Sequence, residues 1–185
     1  MIAIRPATLD DVQGIAQLLD RYYIGNLTDA QKVRGFISVQ FSAAAIQSMV
    51  LGSGMVVAAT EDNTVVAVTG CSPVPGHGGS AIFKKVDALI DQISYHGKLL
   101  SAYRLCMYGP VCVDEAYSGQ GLSSRLFQGF INMVRGQCDV GLAFVSLSNP
   151  ASLKVHWDKL GMAEVRDFEV EGQGYALLAF DVSCN

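Results

Sequence analysis

The sequence predicts a mixed α/β fold, a sheet with helices on both of its faces. Two observations carry this. Apolar runs of strand length and runs of helical periodicity alternate along the chain, in the order β-α-α-β-β-(α)-β-α-β-α-β-β. Of 185 residues, 50% are hydrophobic and 16% are charged, enough apolar side chain for a substantial core. No internal repeat and no low-complexity linker interrupts that order, so residues 1–185 read as a single domain.

The elements follow in turn. Residues 2–5 form a short first strand. Thr8 and Asp11 resemble a capping box with Asp in place of Glu, after which Leu9, Val12, Ala16 and Leu19 recur at helical spacing. Residues 21–54 read as helical pieces separated by Gly25, Gly35, Gly52 and Gly54. Two strands, 55–60 and 64–71, are joined by the hairpin signal Glu61-Asp62-Asn63. A loop rich in Pro, Gly and Ser at 72–82 leads into a helix at 83–93, with Phe83, Val86, Ile90 and Ile93 on one face. Residues 99–113 read as a long strand interrupted by Gly109-Pro110, where proline's missing amide predicts a bulge or splay. A helix at 120–135 aligns Leu122, Leu126, Phe130 and Met133. A strand at 142–147 is followed by Ser148-Asn149-Pro150, which opens a helix ending near Gly161. Residues 162–170 and 175–182 close the chain as a strand pair around Glu171-Gly172-Gln173-Gly174.

Composition narrows the function. A net charge of −4 argues against nucleic acid as a partner, because phosphate backbones call for clustered Lys and Arg. No apolar run approaches a membrane span, and the N-terminus lacks a basic region followed by a long apolar stretch, so neither membrane nor signal peptide is expected. Five scattered cysteines (Cys71, Cys106, Cys112, Cys138 and Cys184), none in C-x-x-C spacing, fit reduced thiols in the cytoplasm. The three histidines lack H-x-x-x-H spacing, and no metal site is expected.

Residues 111–127 carry the chemistry. An apolar strand runs into a glycine turn that opens directly into an amphipathic helix, so unpaired backbone amides and the positive end of the helix dipole converge on one spot. Such a spot binds phosphate without a lysine or a metal. Gly119 and Gly121 allow close approach of an anion, and Ser118, Ser123 and Ser124 add hydroxyl donors. It is not a P-loop, since no lysine follows either glycine. Nor is it a dinucleotide fingerprint: Gly119-Gln120-Gly121-Leu122-Ser123-Ser124 lacks the third glycine and lies late in the chain.

With these residues in place, the whole chain resembles the GCN5-related N-acetyltransferase (GNAT) superfamily, most specifically over 105–161. The family's cradle, Val-x-Pro-x-x-[Arg/Gln]-Gly-x-Gly-x-[Gly/Ala], is matched by Val113-Asp114-Glu115-Ala116-Tyr117-Ser118-Gly119-Gln120-Gly121-Leu122-Ser123. Glu115 replaces proline, Ser118 replaces Arg or Gln, and Ser123 replaces the last small residue. The resemblance implies a mostly antiparallel sheet of about seven strands, splayed at an acyl-CoA site. It implies that Val111, Cys112 and Val113 pair with pantetheine through their backbone, and that residues 118–124 hold the pyrophosphate. Asn149 and Ser152 match the positions that contact the pantetheine arm in the family's Asn-x-x-[Ser/Ala]-x-x-x-Tyr pattern. Counting forward from Asn149 puts His156 in the tyrosine's place; counting back from Gly161 puts Trp157 there, so this helix carries one extra residue.

The implied reaction is acetyl transfer from the cosubstrate acetyl-CoA to an amine, by direct attack on the thioester. The Val113 or Cys112 amide would stabilise the developing oxyanion. His156 is the candidate acid, an imidazole near its ordinary pKa, and Tyr108 could orient the amine or relay a proton. Trp157 reads as core, Glu61 as a solvated weaker base, and Asp114 and Glu115 as surface residues. Cys112 reads as a small strand hydrophobe rather than a nucleophile, and His77 and His96 flank a variable segment. The acceptor is a small-molecule amine or a protein amino group, and homodimers are common in the superfamily. An alternative from another class is a non-catalytic acyl-CoA sensor on the same fold, motivated by Ser118 and the missing tyrosine.

Overall fold

The computed structural model describes residues 1–76 and 80–182. In chain order the elements are β1 (Ala3–Pro6), α1 (Val12–Arg21), α2 (Asp29–Lys32), α3 (Ala43–Leu51), β2 (Met55–Ala59), β3 (Val65–Pro73), α4 (Ala81–Leu89), β4 (Ser94–Tyr95) and β5 (Lys98–Leu99). They continue with β6 (Leu105–Val113), α5 (Leu122–Val134), β7 (Val140–Ser146), α6 (Pro150–Lys154), β8 (Ala163–Val170) and β9 (Gln173–Asp181). Seven strands form a mixed sheet in the order β1-β2-β3-β6-β7-β9-β8, while β4 and β5 form a separate hairpin. The pairings β1–β2, β2–β3, β7–β9 and β8–β9 are antiparallel, and β6–β7 is parallel over Leu105–Met107 against Val140–Leu142. Two compact units are present, Met1–Cys71 with Tyr108–Met133, and Ser72–Met107 with the residues from Val134 onward.

In the first unit, the capping box read from the sequence forms. The Thr8 amide donates to the Asp11 carboxylate at 2.7 Å, and Arg5 binds the same carboxylate through both guanidinium nitrogens, at 2.7 and 2.8 Å. Paired in this way, buried Asp11 is held below the usual carboxylate range. The α1 face differs from the expected one. Ile15, Leu18 and Leu19 are buried, whereas Leu9 is 51% exposed, because it sits in a 3-10 turn before the helix and does not share its periodicity. With Ile46, Val57, Val68 and Cys112 they form one core cluster. A second gathers Val56, Ala58, Val66, Leu122 and Leu126, so Cys112 and Val113, adjacent on β6, serve opposite faces. Helix α5 comes close to β2 at Gly129, where a Cβ would lie 2.9 Å from Val56.

In the second unit, the long strand expected at 99–113 begins only at Leu105. Residues 94–99 turn back as a hairpin, with His96 and Gly97 at positive φ, and buried Leu100 donates its amide to the Ile93 carbonyl at 2.9 Å. The helix expected at 83–93 is shorter, Ala81–Leu89, with Ile82, Val86 and Leu89 buried. Strand β7 pairs with β9 along its whole length, and Gly141 faces the Phe180 ring so closely that a Cβ there would lie 2.1 Å from it.

Candidate active site

The structure places the cradle in the first unit, on the path from β6 to α5. Its entry is fully hydrogen-bonded within the protein. The Asp114 amide donates to Val66 O at 2.8 Å, Glu115 to the Tyr22 hydroxyl at 2.7 Å, Ala116 to Asp114 Oδ1 at 2.9 Å, Tyr117 to Asp114 O at 2.9 Å and Ser118 to Glu115 O at 3.1 Å. At Gly119 this changes. The next amide to donate within the protein is Arg125, to Gly121 O at 3.2 Å. Among the described residues, the amides of Gly119, Gln120, Gly121, Leu122, Ser123 and Ser124 donate to no protein acceptor, as the first turn of a helix requires.

Gly119 and Gly121 adopt φ of +78° and +73°, and a Cβ on either would meet nothing within 4 Å. Conformation demands glycine there, and the space beside the two residues is open. Ser118, Gly119, Gln120, Gly121 and Ser124 are exposed, whereas Leu122 is buried and anchors the helix start. A turn with this backbone presents a row of donors at a helix N-terminus, which is the donor set a pyrophosphate needs.

Asp114 departs from the surface role read from the sequence. Its side chain is largely buried, caps Ala116 and pairs with Arg21 at 2.5 Å, while exposed Glu115 pairs with Arg34. The helical pieces after α1 therefore reach the cradle entry, an approach that local pattern does not encode.

Cys112 is buried and its thiol is pushed up to about 12, mainly by burial and further by Asp114, so it is no nucleophile at neutral pH. Tyr108 is buried edge-on to Phe127 and Phe130, with ring centroids 5.3 and 4.8 Å away. Burial raises its phenol, partly offset by the neighbouring Thr69 hydroxyl, so it stays protonated and supplies no base. Glu61 is exposed and pairs with the N-terminal ammonium at 2.9 Å. His96 is exposed and lies 3.1 Å from Asp181, and His77 lies outside the described residues.

Asn149, Ser152 and His156 lie in the second unit. Asn149 is buried and caps α6, accepting from the Ser152 amide at 3.2 Å, with Pro150 at the first helical position. The extra residue counted in the sequence has a structural form. After α6 the chain makes a π turn over Val155–Lys159, in which the Leu160 amide reaches Val155 O at 3.1 Å, five residues back. A π turn is what an α-helix becomes when it absorbs one inserted residue. It settles which side chain turns inward: His156 is 6% exposed, while Trp157, expected in the core, is 39% exposed.

The His156 Nδ1 lies 2.8 Å from Ser152 O. A carbonyl only accepts, so Nδ1 carries the proton, and the neutral ring keeps its lone pair at Nε2. Burial lowers the imidazole's pKa, against the raising effect of that carbonyl. Where the sequence suggests an imidazole near its ordinary pKa, the structure has a buried ring whose pKa lies below it.

No family model matches this sequence, and no curated protein matches it. Solved structures do. An acetyltransferase of the GNAT family from Streptococcus pneumoniae matches with a TM-score of 0.63 at 13% identity, over 98% of this chain and 99% of its own. The yncA protein of Salmonella typhimurium, solved with its cofactor acetyl-CoA, gives 0.64 at 16% identity, over 100% and 96%. NAA60 of Arabidopsis thaliana, solved with a bisubstrate analogue, gives 0.65 at 15% identity, over 98% of each chain. The chain is thus built on the GCN5-related N-acetyltransferase fold.

Proposed function

We propose that this chain is an acetyl-CoA-dependent N-acetyltransferase, residues 1–185 acting as one such domain, with a small-molecule amine or a protein amino group as acceptor. The observation that carries the reading is the change at Gly119. Every amide of 114–118 is satisfied internally, whereas among the described residues the amides of 119–124 meet no protein acceptor, beside two glycines in the left-handed region. The pyrophosphate of acetyl-CoA is the acceptor that this row fits, with the Ser118, Ser123 and Ser124 hydroxyls as further donors. Ser118 is shorter than the Arg or Gln of the family pattern, but the backbone donors do not depend on side-chain identity.

Bound acetyl-CoA would supply a thioester carbonyl open to attack by an uncharged amine, the new C–N bond replacing the C–S bond as coenzyme A leaves as a thiolate. An ammonium has no lone pair, so the protein has to receive a proton. His156 Nε2 is the assigned acceptor, with Nδ1–H anchored on Ser152 O. A backbone amide of Cys112 or Val113 is assigned to the carbonyl oxygen as charge develops there. Tyr108 is given no proton-transfer step and instead packs beneath α5.

Calorimetric titration with acetyl-CoA, CoA and ATP, followed by a thiol-release assay over a panel of amines, tests this. Acetyl-CoA binding well above ATP, with amine-stimulated release, is expected. Binding without release for every amine would favour a non-catalytic acyl-CoA sensor, and absence of binding would overturn the reading of the glycine turn.

A further inference from the structure

Two carboxylates stand directly before the anion-binding turn, an arrangement that should repel the ligand. Asp114 and Glu115 lie five and four residues before Gly119, and a carboxylate within a Debye length of a phosphate lowers its affinity. Each is met by an arginine from the segment after β1. Arg21, the last residue of α1, pairs with Asp114 at 2.5 Å, and Arg34, just beyond α2, pairs with Glu115. Between them, the Tyr22 hydroxyl accepts the Glu115 amide at 2.7 Å. Residues 21, 22 and 34 thus hold both carboxylates and the backbone amide of Glu115.

We propose that Arg21 and Arg34 are positioning residues of the phosphate cradle. They cancel the two carboxylates at its entry and fix the 114–118 segment whose last amide precedes the open row. This rests on the acetyl-CoA reading above and extends it, because cosubstrate affinity then depends on side chains of the helical segment 21–54. The same contacts account for a glutamate where the family pattern has proline. A charged residue is tolerated there because Arg34 neutralises it.

The test is a double-mutant cycle read by acetyl-CoA titration at low ionic strength, where screening is weakest. Arg34→Gln is expected to weaken binding about fivefold, the scale of an exposed ion pair. Glu115→Gln in the same chain is expected to restore it to within about twofold of the starting protein, and Arg21→Gln with Asp114→Asn should behave alike. In steady-state kinetics the loss and the rescue should fall on KM for acetyl-CoA, with kcat little changed. Binding unchanged in both arginine variants overturns the proposal, as does an Arg34→Gln/Glu115→Gln protein no better than Arg34→Gln alone, since a purely structural or direct phosphate role of Arg34 would not be rescued. If the unsubstituted protein binds no acetyl-CoA, the acetyltransferase reading fails and this proposal with it. If it binds and only the cycle is flat, the arginine proposal alone fails.

Discussion

His156 shows how far a residue's surroundings can reverse its chemistry. In the sequence it is an imidazole of ordinary pKa; in the structure it is buried, neutral and anchored through Nδ1. Its folded pKa lies below its unfolded value near 6.5, so the unfolded chain binds a proton more readily. Stability from the neutral buried ring is therefore full above that pH and is lost as pH falls through it toward the depressed folded value. Thermal midpoints measured from pH 7.5 to 5 should fall, and His156→Phe should flatten that slope. The same substitution should lower kcat much more than acetyl-CoA affinity; equal turnover would remove the base role. Tyr108→Phe should leave turnover nearly intact and change denaturant unfolding by no more than about 1 kcal/mol, because the ring keeps its edge-on packing against Phe127 and Phe130. The cradle glycines were legible in the sequence because positive φ admits few other residues. The protonation of His156 was not, since burial is a property of the folded chain.

Among the elements, the π turn offers the sharpest test. Deleting exposed Trp157 removes the inserted residue and should let 150–160 run as continuous α-helix, with the 3.6-residue register restored. The fold should survive, as judged by circular dichroism, while turnover drops because His156 is rotated from its inward position. The count of one extra residue was available in the sequence, but its location was not: spacing alone does not say which turn opens, and the indole of Trp157 mimics a core side chain. In the turn before α5, Gly119→Ala and Gly121→Ala force a Cβ into φ near +75°. Each should destabilise the turn by about 1 kcal/mol and weaken acetyl-CoA binding measurably in the calorimeter. Strand β6 begins six residues later than its apolar run suggests, because 99–104 carries apolar residues at strand-like density and the hairpin at His96-Gly97 diverts it.

On the scale of the molecule, the alternation of apolar runs was enough to predict a seven-stranded mixed sheet, because each strand's length and turn chemistry are local. The division into two interleaved units was not visible, since it depends on contacts between segments far apart in sequence. Close packing within each unit should make small additions costly. Gly141→Ala drives a methyl group into the Phe180 ring and should lower unfolding stability by about 1–3 kcal/mol in a urea titration.

The thiols at Cys71, Cys106, Cys112 and Cys138 are all buried in the native chain. A thiol-reactive dye can label them only when the surrounding structure opens, so labelling rates at these four positions read opening events directly. Cys112 lies on the strand leading into the cradle, whereas Cys106 and Cys138 belong to the other unit. Mass spectrometry of which cysteine is modified first, with and without acetyl-CoA, would time the opening of each unit separately in a single unmodified protein.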